Sequence, residues 1–318
     1  MPENSCAHRD IGAVVQSLEH RPKRNLQRRL AVAIGIATVV AGIEIIGSVA
    51  SGSLALLTDA GHIATDAFAL GLSLAALRLS TRPHTAKLSF GYHRVEVIAA
   101  LANAVLLVAV AVYLGGLAYA RYHSPVPVQA VIMLLIGLGG LAGNLIMAFL
   151  LRSWARVNIN ARGAFLHAYG DVLGSGGVVV AAVLVQLTGS GIVDLLFSIF
   201  ILALILLSAG RLLRDTVAII LEASPRGISP QEVAAAVSAI PGVRGVHDLH
   251  IWTMTSGLVV LTGHVLVAGE STVQGAARIV DSIRDMLRSR FRIAHATLQV
   301  DSATETMIPA TELTKSDR

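Results

Sequence analysis

The stretch Ser53-Leu-Ala-Leu-Leu-Thr58-Asp59-Ala-Gly61-His62-Ile-Ala-Thr65-Asp66-Ala-Phe-Ala-Leu70 lies inside a long apolar run, yet it carries two acids and a histidine. At spacings of three and four residues, Asp59, His62 and Asp66 project from one face of a helix. An acid at the centre of a bilayer costs about 2.5–3.5 kcal/mol, so such groups face a cavity, an ion or each other. Further along, Phe165-Leu-His167-Ala-Tyr-Gly170-Asp171-Val-Leu-Gly174 repeats the His-x-x-x-Asp pair. If the two helix faces turn toward each other, His62, Asp66, His167 and Asp171 offer two imidazoles and two carboxylates. That is a tetrahedral set suited to a borderline divalent ion, zinc first. The plainer reading is interhelical hydrogen bonding, and the matched spacing of the two pairs weighs against it.

The composition supports a membrane setting. Of 318 residues, 54% are hydrophobic and 14% charged, and the mean hydropathy is +0.69. Soluble domains carry about 25% charged residues. Small residues are abundant, with 29 glycines, as suits helices that must approach closely in lipid. Cys6 is the single cysteine, which excludes an intrachain disulfide and a paired thiolate site. The basic start of the chain has no apolar core of its own, so the first span is expected to act as its own insertion signal.

Six apolar segments meet the length criterion, at residues 30–50, 54–77, 95–120, 128–151, 164–187 and 192–213. Their connections alternate in charge. Arg21, Lys23, Arg24, Arg28 and Arg29 precede the first segment; Arg78, Arg82, Lys87 and Arg94 follow the second; Arg152, Arg156 and Arg162 follow the fourth; Arg211 and Arg214 stand at the end of the sixth. The other connections hold a single arginine, Arg121. This asymmetry predicts both termini in the cytoplasm and a multi-pass protein of the inner (plasma) membrane. The basic residues are topology determinants, which excludes a nucleic-acid role despite the net charge of +5.

After Glu222 the pattern changes. Ser229 reads as an N-cap with Pro230 at the first helical position, and Val233, Val237 and Ile240 give a helical period. Residues 246–253 and 258–267 read as strands around a Thr255-Ser256-Gly257 turn. Residues 271–290 read as an amphipathic helix with Val273, Ala277, Val280, Ile283 and Leu287 on one stripe, and 296–300 as a further strand. The order predicts a small cytoplasmic α+β domain, one that gains from pairing with a second copy because so small a core is marginal. The expected division is a basic cytoplasmic segment at 1–29, a six-helix transmembrane domain at 30–214, the cytoplasmic domain at 215–302 and a disordered tail at 303–318.

Other polar residues remain open at this level. Asp59 is either an acceptor behind an imidazole or a residue of the outer interface. Glu44, Asn103 and Asn144 are packing or pathway residues. His84 and His93 in a loop, and Cys6 with His8, are possible metal ligands against the commoner reading of solvated side chains. In the soluble domain, strand alternation puts His247 and His250 on opposite faces. His247, His264 and Asp301 converge if the three strands are neighbours, and otherwise are solvated positions on a small sheet.

Together, Ser53-Leu-Ala-Leu-Leu-Thr-Asp59-Ala-Gly-His62-x-x-x-Asp66, Phe90-Gly-Tyr-x-Arg94-x-Glu96, His167-x-x-x-Asp171 and His247-Asp-Leu-His250-Ile-Trp252 resemble the cation diffusion facilitator family, in its zinc-transporting, cobalt–zinc–cadmium resistance branch. The resemblance covers roughly residues 30–301. It implies a homodimer in the bilayer, each protomer with six spans and a ferredoxin-like cytoplasmic domain, exporting divalent metal against a proton flux. His62, Asp66, His167 and Asp171 match the transport site, and His247, His264 and Asp301 match cytoplasmic metal positions. Zinc is thus substrate and also a bound structural or regulatory ion, with no other cofactor. Some relatives have a further histidine at the position of Gln299, and histidines at those of Leu88 and Tyr92, so a strong loop site is not expected. Some have Asp at the position of His62, and the pattern of two His and two Asp goes with zinc over cadmium. A basic residue at the position of Arg94 pairs with an acid at that of Glu222, near the dimer's pivot.

The ligand chemistry implies how exchange works. Metal binding needs neutral imidazoles and ionised carboxylates, so it competes with protons. The resemblance implies that the driving force is the proton gradient, and the chain contains no P-loop. An intramembrane zinc hydrolase would keep an open coordination position and a general base; four ligands and the lack of His-Glu-x-x-His argue against it. A membrane metal sensor is the remaining alternative.

Overall fold

A computed structural model describes residues 23–80, 85–155, 159–255, 257–268 and 272–303; the side chains of 23–31, 77, 80, 151, 153–155, 159–168 and 303 lie outside that description. Cys6, His8, His84 and the tail are therefore outside it, as is the side chain of His167.

Six long helices come first: α1 (Lys23–Ser51), α2 (Leu54–Ser80), α3 (Val95–His123), α4 (Ala130–Ala155), α5 (Ile159–Thr188) and α6 (Ile192–Ile220). Among the described residues, five of them contain stretches long and apolar enough to cross a membrane: Val32–Ser51, Val95–His123, Ala130–Leu150, Tyr169–Thr188 and Ile192–Ile220. The exception is α2, whose apolar run is interrupted by Asp59, His62 and Asp66. The protein is a multi-pass helical membrane protein. Its outward side chains fit that setting, since Ile46, Val49, Phe149 and Leu187 are all exposed, where lipid would cover them.

The chain divides into two compact units, one from Arg21–Leu79 and Ile98–Asp215, the other around Ser80–Val97 and Thr216–Arg318. In the first, Leu56, Leu107, Met133, Val178, Ile201 and Ile205 of α2 to α6 make the largest buried cluster. Helix α1 packs on α4 through glycines. A Cβ at Gly47 would lie 2.6 Å from Ile136, and one at Gly143 would lie 2.5 Å from Val40, so only glycine permits this approach.

The start of α2 is fixed by an acid from elsewhere in the chain. Asp194, wholly buried in the first turn of α6, accepts from the Ser53 hydroxyl at 2.5 Å and from the backbone N–H groups of Leu54 at 2.7 Å and Ala55 at 3.2 Å. Ser53 Oγ in turn accepts from Leu56 N–H at 3.1 Å. Three orphan amides are thereby satisfied, and the anion sits at the positive end of the helix. This clamp sets the rotation of α2, and so the direction of its polar face.

The second unit holds α7 (Pro230–Ser238), β1 (Val243–Thr255), β2 (Leu258–Ala268), α8 (Val273–Phe291) and β3 (His295–Ala303). The helix–strand–strand–helix–strand order expected from the sequence is present. Ser229 caps α7 by accepting from Glu232 N–H, ahead of Pro230. The sheet runs β1-β2-β3, with β1 antiparallel and β3 parallel to β2. Its core combines Val233 and Val237, Ile251, Leu261 and Val265, and Ile283 and Leu287. The expected stripe of α8 holds only from Ile283 on. Val273 is 88% exposed and Ala277 is exposed, while Ile279 and Met286 join the core instead. Thr272 caps the helix, so its first turn lies beyond the edge of the core.

Arg94 and Glu222 both belong to this unit and pair at 2.5 Å, as the resemblance implies. Both side chains are about half exposed, at 46% and 56%. Arg94→Glu should therefore lower thermal stability only slightly, by about 0.2–1 kcal/mol, and adding Glu222→Arg should recover it. Melting of the double variant at or below the single one would refute the pairing.

Candidate metal centres

His62 and Asp66 stand one turn apart on α2, and α5 brings Asp171 against them. His62 Nδ1 lies 3.5 Å from Asp66 Oδ2, and His62 Nε2 lies 3.7 Å from Asp171 Oδ1. The donor atoms of all three residues fall within 4.8 Å of one another. Donors held about 2.0 Å from a tetrahedral zinc ion sit about 3.3 Å apart, so small side-chain adjustments close this cluster on an ion. Asp66 and Asp171 are buried, and His62 is half-buried. Position 167 lies on α5 one turn before Asp171.

Polar residues that the sequence left open support the cluster. Asn144 of α4 donates to Ser175 Oγ at 2.8 Å and to the backbone oxygen of Asp171 at 3.4 Å. Ser175 donates to Asp59 Oδ2 at 2.7 Å. Asp59 is 1% exposed, and the hydrogen bond it accepts comes from a hydroxyl and not from an imidazole. Sequence reasoning missed Ser175, for which a single serine in a glycine-rich helix is no signal. It missed Asp194 as well.

The second cluster lies on the sheet. His247 and His264 face each other in the β1–β2 register, with ring centroids 5.0 Å apart. His264 Nδ1 lies 2.7 Å and His247 Nε2 lies 3.8 Å from Asp301 Oδ2. One donor atom from each of these three residues falls within 4.8 Å of the others. Gln299 donates to the other oxygen of Asp301 at 2.9 Å, so an amide orients the carboxylate.

Simple alternation does not hold between His247 and His250. The register shifts there, and Asp248 adopts φ +50. Asp248 then lies 3.0 Å from His250 Nε2 and 3.8 Å from His264 Nε2. His93 is half-buried and joins neither three-residue cluster.

The Gln299 amide first, and then His264, hold the Asp301 carboxyl below its ordinary range. A carboxyl depressed on folding contributes stability that is complete above its unfolded pKa, about 3.9, and is lost as pH falls through the folded value. Gln299→Leu should therefore make the purified protein unfold at a less acidic pH, as followed by Trp252 emission in a Trp154→Phe background. An unchanged acid midpoint would show that the amide does not act on Asp301.

Residues 30–221 match the cation efflux transmembrane domain, and residues 225–303 match the cytoplasmic domain of the cation efflux protein. The chain belongs to the cation diffusion facilitator family. Its relatives include the metal cation efflux system protein CzcD of Cupriavidus metallidurans, 36% identical over 87% of each chain. The zinc transporter ZitB of Escherichia coli is 37% identical over 89% of this chain and 90% of its own. The cadmium, cobalt and zinc/H(+)-K(+) antiporter of Bacillus subtilis is 35% identical over 82% and 84%. Within the cation diffusion facilitators this protein falls in the CzcD and ZitB branch. It is a transporter of divalent metal cations and not an enzyme.

Proposed function

We propose that this protein exports zinc from the cytoplasm in exchange for protons, using His62, Asp66, His167 and Asp171 as the transport site. The observation that carries this reading is that His62, Asp66 and Asp171 each offer one donor atom within 4.8 Å of the others, inside a membrane bundle. The names of relatives that transport zinc or exchange it for protons agree with it. Zinc binds when the imidazoles are neutral and the acids ionised, and protonation on the outer side releases it.

In this reading α2 is a sixth span. Its 27 residues cover about 40 Å at 1.5 Å per residue, enough for a bilayer. Its polar face needs no lipid contact because neighbouring helices bury it. Both termini are cytoplasmic in the inner membrane, and the protein works as a homodimer. The domain limits are those read from the sequence: a basic segment to 29, six spans over 30–214 and a ferredoxin-like domain over 215–302. His247, His264 and Asp301 hold a structural or regulatory zinc ion in that domain.

The test is zinc flux in proteoliposomes made from the purified protein. Zinc uptake should rise when an opposing proton gradient is imposed and collapse when an ionophore dissipates it. Flux indifferent to the gradient would refute proton exchange, and no flux would refute zinc transport.

A further inference from the structure

Glu44 of α1 is 0% exposed, and neither of its carboxylate oxygens has a hydrogen-bond partner among the described residues. Other buried acceptors in that condition include Asp59 Oδ1 on α2 and Asn144 Oδ1 on α4. The helices make room for these oxygens. A Cβ at Gly140, one turn from Asn144 on α4, would collide with Glu44 Oε1, and a Cβ at Gly174 would lie 3.0 Å from Asp59 Oδ1. The nearby donors are already engaged, since the Asn144 amide and the Ser175 hydroxyl are both given to other oxygens. What remains is a group of buried lone pairs without protons to accept.

Buried carboxylates without a countercharge are costly enough that they take up a proton or a cation. The acids acting on Glu44 are Asp59 from α2 and Asp171 from α5, while α4 offers the neutral Asn144. His62 and Asp66 also act on Asp59. The donor set is all oxygen. It therefore favours a hard cation, whereas the imidazole-bearing cluster beside it favours zinc.

We propose that Glu44, Asp59 and Asn144 form a second cation subsite, separate from the His62 cluster, that holds the counter-cation of the exchange. The ligand is a small hard monovalent cation, either a proton or an alkali ion. The two sites share one pool of negative charge, so zinc at the first repels the counter-cation from the second, and each ion leaves as the other arrives. The inference rests on the exchange reading above and adds where the other ion sits.

Glu44→Gln keeps the shape and removes the charge. In phosphatidylethanolamine/phosphatidylglycerol vesicles, exchange of radioactive zinc for unlabelled zinc needs no counter-cation and should persist near the wild-type rate. Net zinc flux driven by a gradient should fall about tenfold or more, within the range of coupling between linked sites. Two arms separate the sources: a pH gradient with N-methylglucamine as the only monovalent cation, and a potassium gradient at equal pH. Loss in either arm, with zinc–zinc exchange kept, supports the subsite and names its ion. Gradient-driven flux at the wild-type level overturns it, and so does joint loss of both fluxes in folded protein. If Glu44→Gln does not survive purification, the similarly sized and uncharged Glu44→Met carries the same test. Wild-type protein lacking any gradient-driven flux would instead defeat the exchange reading itself.

Discussion

Asp171→Ala should abolish zinc-dependent proton movement in vesicles while leaving the protein folded. The carboxylate is 5% exposed on α5 and reaches to 3.7 Å from His62 Nε2. Its loss removes one anionic donor and half of the negative charge that the two acids of the transport site contribute. Changes merely behind a metal ligand cost about 10–100-fold in affinity, so loss of a ligand should cost at least as much. The fold has little reason to suffer. Asn144 holds the backbone oxygen of residue 171, not its side chain, so the contact between α4 and α5 survives the substitution. Removing a buried acid also removes its desolvation cost. Asp171→Asn, which keeps the shape, should be as inactive as the alanine variant, because charge and not volume is what zinc requires. Normal flux from either variant, with unchanged melting, would sink the assignment of Asp171.

The features that were legible in the sequence are those carried by local spacing. His62 and Asp66 announce a polar helix face because four residues make one turn, and α7 is announced by Ser229 and Pro230. What escaped depends on partners distant in the chain or on backbone choices without a residue signature. The clamp on α2 joins Ser53 to an acid 141 positions away, and nothing near Asp194 marks it as other than a polar residue starting a span. Glu44 was visible as a lone acid in an apolar run. Its isolation depends on Gly140 of α4 presenting no side chain there, which no local pattern reveals. The bulge in β1 turns on Asp248 at a positive φ, where a glycine would have been a hint. The stripe of α8 departs from the expected one before Ile283, where Ile279 and not Ala277 or Val280 joins the core, since alanines and valines fit two registers equally well.

His62→Asp should shift transport from zinc toward cadmium. In the present arrangement the imidazole bridges Asp66 at 3.5 Å and Asp171 at 3.7 Å, one nitrogen toward each acid. An imidazole gives a bound ion a single nitrogen donor from a rigid ring, which favours a small ion in tetrahedral geometry. An aspartate is shorter and binds through one oxygen or two, so the substituted site is wider and no longer holds the coordination number at four. The larger cadmium ion gains from both changes, and zinc loses a preferred nitrogen donor. The substitution should also change the pH dependence of binding, because protons compete with the metal for each ligand and an imidazole is exchanged for a carboxylate. Zinc and cadmium fluxes measured across a neutral pH range test both halves. A cadmium-to-zinc ratio that stays at the parent value would mean that selectivity resides outside His62. A ratio that rises with the pH dependence unchanged would leave His62 as a size filter only, and proton coupling would have to lie with other groups, the buried acids Glu44 and Asp59 first among them.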